Sequence, residues 1–240
     1  MVDATTRLYA RLRGLYEAVA VVPTPSTSVE LLARLQDAAV DPLEASRGAV
    51  GTGRRHALRL GLSTGASHLH YCDFDRLLHW LDRYPGELDR VLADIPRWDY
   101  LVLGRSDRAF ATHPRVQRDT EIITNHAFSL WFGRPVDVTA GSCAVSRRAA
   151  ELLLAGSTAP TNATDTEWPA LVLRKRYEVG YLATEGLEFE TADYFPKEIA
   201  AAGSLEAWLE ERSRPLAAWI GRTRLTLESL EALERIVGSE

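Results

Sequence analysis

Two carboxylates separated by one residue, Asp73 and Asp75, are the most informative candidates for chemistry in this chain. They follow residues 68–72, a short and mostly apolar run that is typical of a buried strand. Side chains two positions apart in an extended chain point to the same face, so both acids would converge at the end of the strand. Open α/β sheets bind ligands beyond the carboxyl ends of their strands. Two hard oxygen ligands there would suit Mg²⁺ or Mn²⁺ holding a diphosphate.

The same residues also allow a purely structural interpretation. Asp75 would cap a helix that starts at Arg76, and Asp73 would be a solvated strand end. An Asp-x-Asp pair after a strand is a weak signal by itself, so the metal interpretation depends on the rest of the chain.

The elements that must position these residues alternate between strand and helix. Strands are predicted at residues 18–22, 68–72, 100–103, 138–145, 181–183 and 187–189. Helices are predicted at residues 5–15, 28–40, 54–62, 76–84, 114–132, 147–154 and 169–180, and residues 41–53 are expected to form a loop. This alternation favours one α/β domain, residues 1–193, whose mostly parallel sheet is covered by helices. Residues 194–240 are predicted to be a helical extension, broken at Pro215, that packs on the same domain.

Composition excludes several classes of function. The 28 basic and 33 acidic residues give a net charge of −5 without a basic block, which argues against nucleic-acid binding. Cys72 and Cys143 both lie in strand-like runs and are expected to be small buried residues, not a disulfide or a thiolate metal site. Neither an apolar leader nor a run of membrane-spanning length is visible, so we expect a soluble, cytoplasmic protein. Peripheral membrane contact and homo-oligomer formation stay open.

The order of these segments resembles the glycosyltransferases of the GT-A (Rossmann-like) fold over about residues 16–190. The large family 2 group and its dolichyl-phosphate-mannose-synthase-like members resemble it most. Residues 21–28 are similar to that family's second strand and its "DGSTD" turn, with Thr24 and Ser28 in place of the usual acids. Residues 51–55 look like the glycine-rich loop before the Asp-x-Asp strand, and residues 102–105 look like the "GSR" strand end.

The resemblance implies a metal-dependent enzyme that moves a sugar from a UDP- or GDP-linked donor to an unknown acceptor. The metal, Mg²⁺ or Mn²⁺, would be held by Asp73 and Asp75. The residues implied to bind the donor nucleotide are Gly51, Gly53, Arg54, Arg55, Asp73 and Arg105. Residues 137–148 are similar to the strand and helix start near the acceptor, which makes Gly141 and Ser142 candidate acceptor-side residues. Trp168 is a third acceptor-side candidate, because its ring would stack on a sugar.

The resemblance also implies a catalytic base at residues 165–169. Inverting transfer needs a carboxylate that takes the proton of the attacking hydroxyl. Asp165 is the first candidate and Glu167 the alternate, because the spacing differs from the family's adjacent pair. Structural alternatives are a helix N-cap for Asp165 and a core position for Trp168, which would otherwise stack on a sugar ring.

One departure from the family concerns the start of the chain. The family opens with a strand before its first helix, whereas this chain begins with the predicted helix at residues 5–15. We therefore expect either a missing first strand or a shortened variant in which residues 18–22 are the first strand. A missing strand would leave an exposed sheet edge.

Three other functions stay open. One is a degenerate or truncated protein of this fold that binds or assembles without activity. Another is a haloacid-dehalogenase-like phosphatase, since residues 73–78 resemble "DFDGTL", although Arg76 and Leu77 replace its Gly-Thr. A nucleotidyltransferase of related architecture is a lesser alternative.

Overall fold

The computed structural model describes residues 1–41 and 49–238, and it confirms an α/β fold. The strands are β1 (Ala20–Val21), β2 (Ala39–Val40), β3 (His68–Tyr71), β4 (Tyr100–Arg105), β5 (Ser142–Ser146) and β6 (Val179–Thr184). The first helices are α1 (Val2–Leu15), α2 (Val29–Ala33), α3 (Val50–Ser63), α4 (Phe74–Arg83), α5 (Pro85–Asp94) and α6 (Asp107–Ala111). They are followed by α7 (Arg115–Phe132), α8 (Arg147–Gly156), α9 (Thr164–Arg174), α10 (Pro196–Ala202), α11 (Leu205–Ser213) and α12 (Leu216–Val237).

The main sheet is mixed, so the prediction of a mostly parallel sheet is wrong. Its strand order is β3-β5-β4-β6, in which β5 runs antiparallel to both neighbours and only β4 and β6 are parallel. The direction of β5 follows from where the chain re-enters the sheet. Asp137, shortly before β5, accepts hydrogen bonds from the backbone and side chain of Arg105, the last residue of β4. The end of β4 and the start of β5 are therefore held at the same edge.

The first two strands form a separate parallel pair, with Ala20 opposite Ala39. Ser28 caps α2 as the sequence predicts, because its hydroxyl accepts a hydrogen bond of 3.1 Å from the backbone N–H of Leu31. The helix ends at Ala33 and does not reach residue 40. The chain turns through Asp37, whose φ is +62°, and then extends to pair with β1.

The predicted glycine-rich loop is instead the first turn of α3, which begins at Val50. A Cβ atom on Gly51 would lie 2.1 Å from the carbonyl oxygen of Ala159, and the Gly51 N–H donates to the Pro160 carbonyl at 2.9 Å. Gly51 therefore allows the start of α3 to contact residues 159–160. The part of the predicted loop at residues 42–48 lies outside the described residues.

Apolar side chains cover both faces of the main sheet. Tyr100 and Val102 face one core cluster, and Leu101 and Leu103 face the other, as the alternation of a strand requires. The long helix α12 contributes to the first cluster, so this C-terminal helix packs on the same core as the sheet. Within residues 1–41 and 49–238, every helix is too short or too polar to cross a membrane.

Candidate functional site

The two acids of the Asp-x-Asp pair lie at the start of a helix. Strand β3 ends at Tyr71, and Asp73 is the N-cap residue of α4, with Asp75 in the first turn. The expectation that both acids lie on an extended strand is therefore wrong, because the chain turns into α4 directly after Cys72. The partial positive charge of a helix N-terminus stabilises carboxylates at these positions.

The two carboxyl groups differ in their surroundings. Asp73 is exposed, and its side chain accepts no hydrogen bond from the residues that the structure describes. Asp75 is half-buried, and its Oδ1 accepts a hydrogen bond of 3.0 Å from the Arg76 N–H. Burial raises the pKa of Asp75, and the nearby carboxylates of Glu190 and Asp73 raise it further. Negative charge is thus concentrated at the start of α4.

Arg76 crosses from α4 to two other segments. Its Nε and Nη2 donate to the carboxylate of Glu190 at 3.2 and 3.3 Å, and its Nη1 donates to the backbone carbonyl of Ala140. Arg76 and Glu190 are 114 residues apart, so no local sequence pattern links them, and neither was predicted as a site residue. The position of Arg76 directly after Asp75 is the one local signal that could have drawn attention to it.

A second arginine joins α3 to α9. Nη1 of Arg54 donates to Thr164 Oγ1 at 2.7 Å and to Asp165 Oδ1, while its guanidinium lies 5.5 Å from the ring centre of Tyr71. Burial raises the pKa of Asp165, Arg54 lowers it, and Glu121 and Asp73 raise it, with a net shift upward. Asp165 is therefore a stronger base than an ordinary aspartate, although it lies in an ion pair.

Gly141 lies between the two arginines. Its φ of +76° is in the left-handed region. A Cβ atom there would lie 3.3 Å from Arg54 Nη2 and 3.7 Å from Arg76 Nη1. The missing side chain thus makes room for two guanidinium groups beside the backbone, where the sequence had suggested room for a sugar.

Five of the candidates from the sequence line one small cavity: Arg54, Gly141, Ser142, Asp165 and Trp168. They come from three separate segments, which meet beyond the end of β3 and the start of β5. Ser142 Oγ donates to the Tyr71 carbonyl at 3.1 Å. Trp168 is 2% exposed, contacts the Tyr71 ring edge to face at 6.0 Å, and donates from Nε1 to Ser157 Oγ at 3.0 Å. These contacts agree with the structural alternative for Trp168, which is a core position.

Glu167 and Arg55 point away from this cavity. The carboxylate of Glu167 accepts backbone hydrogen bonds from Thr158 at 2.8 Å and Ala159 at 2.9 Å, and one from the Ser157 hydroxyl. Arg55 donates to the Ala159 carbonyl at 2.8 Å. Both side chains hold residues 157–159 in place, so Glu167 is not a free base and Arg55 is not directed at a donor.

Arg105 is also engaged elsewhere. Its side chain is 1% exposed, and its guanidinium donates to Asp137 at 2.7 Å and to Glu121 at 2.7 Å. The ring centre of Phe110 lies 4.6 Å from the same group. The family resemblance implied that Arg105 binds the donor, but in this buried network it joins β4 to α7 and to the start of β5. Gly53, also expected at the donor, lies in α3 with no atom within 4 Å of an added Cβ.

Asp73 and Asp75 could hold a cation, but they do not form a complete set of ligands. In the part of the chain that the structure describes, no three His, Cys, Asp or Glu side chains form a group suited to a metal ion. An ion at Asp73 and Asp75 would need further ligands from water or from a bound molecule. Comparisons with protein-family models, curated proteins and solved structures give no match for this chain.

Proposed function

We propose that this chain is a metal-dependent glycosyltransferase of the GT-A fold. It would move a sugar from a UDP- or GDP-linked donor to an acceptor hydroxyl, in the cytoplasm. The observation that carries the proposal is the convergence of Asp73, Arg54, Arg76 and Asp165 around Gly141, from segments far apart in the sequence.

The two arginines are suited to the diphosphate of the donor. Their guanidinium groups flank a backbone position without a side chain, and guanidinium groups bind phosphate oxygens in a fixed fork. Nε of Arg54 is buried and has no hydrogen-bond partner among the described residues. An unpaired buried donor costs about 1–3 kcal/mol, which a phosphate oxygen at this nitrogen would recover.

Asp73 and Asp75 fit a divalent cation that is shared with the donor. The exposed Asp73 has a free carboxylate. Burial raises the pKa of Asp75, the nearby carboxylates of Glu190 and Asp73 raise it further, and a bound cation would offset the charge of these carboxylates. Mg²⁺ is commonly bound by one or two carboxylates together with substrate phosphates and water. When bound, such an ion neutralises charge that develops on a diphosphate leaving group.

Asp165 is the proposed general base of an inverting reaction. Arg54 holds its Oδ1, and its Oδ2 accepts no hydrogen bond within residues 1–41 and 49–238. Oδ2 would take the proton of the acceptor hydroxyl as that oxygen attacks the anomeric carbon. The upward shift in the pKa of Asp165, which burial causes first, makes this transfer easier than it would be for an exposed aspartate.

A non-catalytic nucleotide-binding protein is the second candidate. One observation favours it. Thr24 takes the place of an acid of the glycosyltransferase family, and its hydroxyl lies within hydrogen-bond distance of the hydroxyls of Ser26 and Thr27 in the same turn. Ser28 is likewise used as the cap of α2.

Turnover of UDP- and GDP-sugars in the presence of Mn²⁺ tests the proposal. We expect nucleoside diphosphate release by the wild-type protein, and a loss of at least about 100-fold in Asp165→Asn with donor binding retained. Glu167→Gln is the matched control, because the amide oxygen can still accept the backbone hydrogen bonds, and it should retain turnover. Equal rates for Asp165→Asn and the wild type would refute the role of Asp165. Donor binding without turnover of any sugar would favour the non-catalytic candidate.

A further inference from the structure

A second and larger cavity, of about 480 Å³, lies between the C-terminal helices and the candidate site. This volume is within the range of small-molecule sites. Its wall includes Asn162, whose carbonyl accepts a hydrogen bond of 2.8 Å from the Asp165 N–H, and Thr191, the residue after Glu190. The cavity therefore adjoins the segments that carry the proposed base and the partner of Arg76.

The wall of this cavity carries two guanidinium groups and no acidic side chain. Nη1 of Arg222 lies 3.1 Å from Glu121, which is also the partner of Arg105. Arg212 forms no ion pair with any residue that the structure describes. Its guanidinium lies 4.7 Å from the ring centre of Trp208, and this contact orients it without neutralising its charge. One positive charge at this wall is thus free to meet an anion.

The cavity also offers a hydrogen-bond acceptor and an apolar wall. Oδ1 of Asn162 is buried without a hydrogen-bond partner among the described residues, although buried amide oxygens are normally paired. Phe189 and Leu225 supply apolar surface in the same wall. A molecule that fits this wall has a hydroxyl for Asn162 and an oxyanion for Arg212.

We infer that this cavity binds the acceptor, and that the acceptor is a small hydroxylated acid with a carboxylate or phosphate group. The inference rests on the proposed glycosyl transfer. In that reaction the acceptor oxygen bonds to the anomeric carbon, and the bond from that carbon to the phosphate oxygen of the donor breaks. Asp165, which lies one helical turn from Asn162, takes the proton of a second hydroxyl that extends from this cavity towards α9, and the nucleoside diphosphate leaves with the electron pair of the broken bond.

Calorimetric titration with glycerate, glycerol 3-phosphate and neutral glycerol tests the inference on the full-length protein. We expect both acids to bind and glycerol to bind at least tenfold more weakly. Arg212→Gln should weaken binding of the acids at least tenfold, whereas Arg224→Gln is the matched control, because Arg224 lies on the same helix as Arg222 but outside the cavity wall. Thermal melting of both variants shows whether they are folded.

Equal binding of glycerol and of the acids, or unchanged binding in Arg212→Gln, would overturn the inference. Binding of UDP or GDP with Mn²⁺, measured on the same samples, separates the two proposals. Nucleotide binding without acid binding overturns only the acceptor inference, while acid binding without nucleotide binding overturns glycosyl transfer and supports the anion site. Binding through Arg212 to phosphatidylglycerol vesicles, but not to the soluble acids, would assign the oxyanion to a lipid headgroup and overturn the small acceptor.

Discussion

Replacing Gly141 by alanine tests whether the two arginines beside it form the donor site. The backbone of Gly141 has φ +76° and ψ 14°, a conformation that costs an L-residue about 1–2 kcal/mol. Alanine also restricts the unfolded chain more than glycine does, and this effect offsets about 0.4–1 kcal/mol of that cost. We therefore expect a loss of about 1 kcal/mol in the free energy of unfolding from the backbone alone.

The added methyl group has a second effect that is local to the site. It would lie 3.3 Å from Arg54 Nη2, which is a tight contact, and 3.7 Å from Arg76 Nη1. The Arg54 guanidinium must shift by a few tenths of an ångström, whereas the contact with Arg76 is an ordinary van der Waals contact. If these groups bind the diphosphate, Gly141→Ala should weaken nucleotide binding at least tenfold, which corresponds to about 1.4 kcal/mol.

Gly133→Ala is the matched control. Gly133 has a similar φ of +83° and ψ of 5°, and nothing lies within 4 Å of an added Cβ. Urea unfolding should show a similar loss of stability for both variants, and calorimetry with UDP or GDP should show weaker binding for Gly141→Ala alone. Wild-type nucleotide affinity in Gly141→Ala, together with the expected loss of stability, would refute the assignment of this position to the donor site.

Three further predictions concern stability. Asp137→Ala should lower the free energy of unfolding by about 3 kcal/mol, because it leaves the buried Arg105 with one carboxylate fewer. Urea unfolding checks this against Asp119→Ala, which removes the acid of an exposed pair with Arg115 and should lose under about 1 kcal/mol. Glu167→Ala should lower the free energy of unfolding by about 1–3 kcal/mol in the same assay, because two backbone N–H groups lose their acceptor. Wild-type stability in this variant would contradict the role of Glu167 in holding residues 157–159 in place. Burial lowers the pKa of His70 from 6.5 to about 4, so the unfolded chain binds more protons in that interval. The free energy of unfolding should therefore decrease as the pH drops from 6.5 towards 4. A pH series of urea midpoints checks this: His70→Gln should show a smaller decrease over this interval than the wild type, and an equal decrease in both proteins would contradict the prediction.

The sequence predicted the elements with strong local signals. The serine cap of α2 and the break between α11 and α12 at Pro215 are confirmed, because both depend on short-range backbone chemistry. The prediction of a mostly parallel sheet was wrong because strand and helix patterns carry no information about strand direction. The direction of β5 here follows from the distant pair Arg105–Asp137. The predicted helix start at Pro169 was also wrong, since α9 begins five residues earlier and contains that proline.

The sequence placed some residues of the candidate site in one group and gave no signal for others. Segment order alone brought Arg54, Gly141 and Asp165 into one list, and the structure places them around one cavity. Arg76 and Glu190 share no local sequence pattern, so their ion pair could not be predicted from the sequence. The contacts of Glu167 could not be predicted, because an acid in the first turn of a helix has the same local signature whether it holds a loop in place or acts as a base.

The most direct test of the central claim is calorimetric binding of UDP and GDP, each with and without Mn²⁺. The protein variants to compare are the wild type, Asp73→Asn, Asp75→Asn and, as a control, Asp3→Asn, which alters an exposed first-turn acid of α1. The proposal predicts binding of one nucleotide that Mn²⁺ strengthens, loss of that Mn²⁺ effect in Asp73→Asn and Asp75→Asn, and wild-type behaviour in Asp3→Asn. Binding that is indifferent to Mn²⁺ and to both site variants, or no binding of either nucleotide by the wild type, would contradict it.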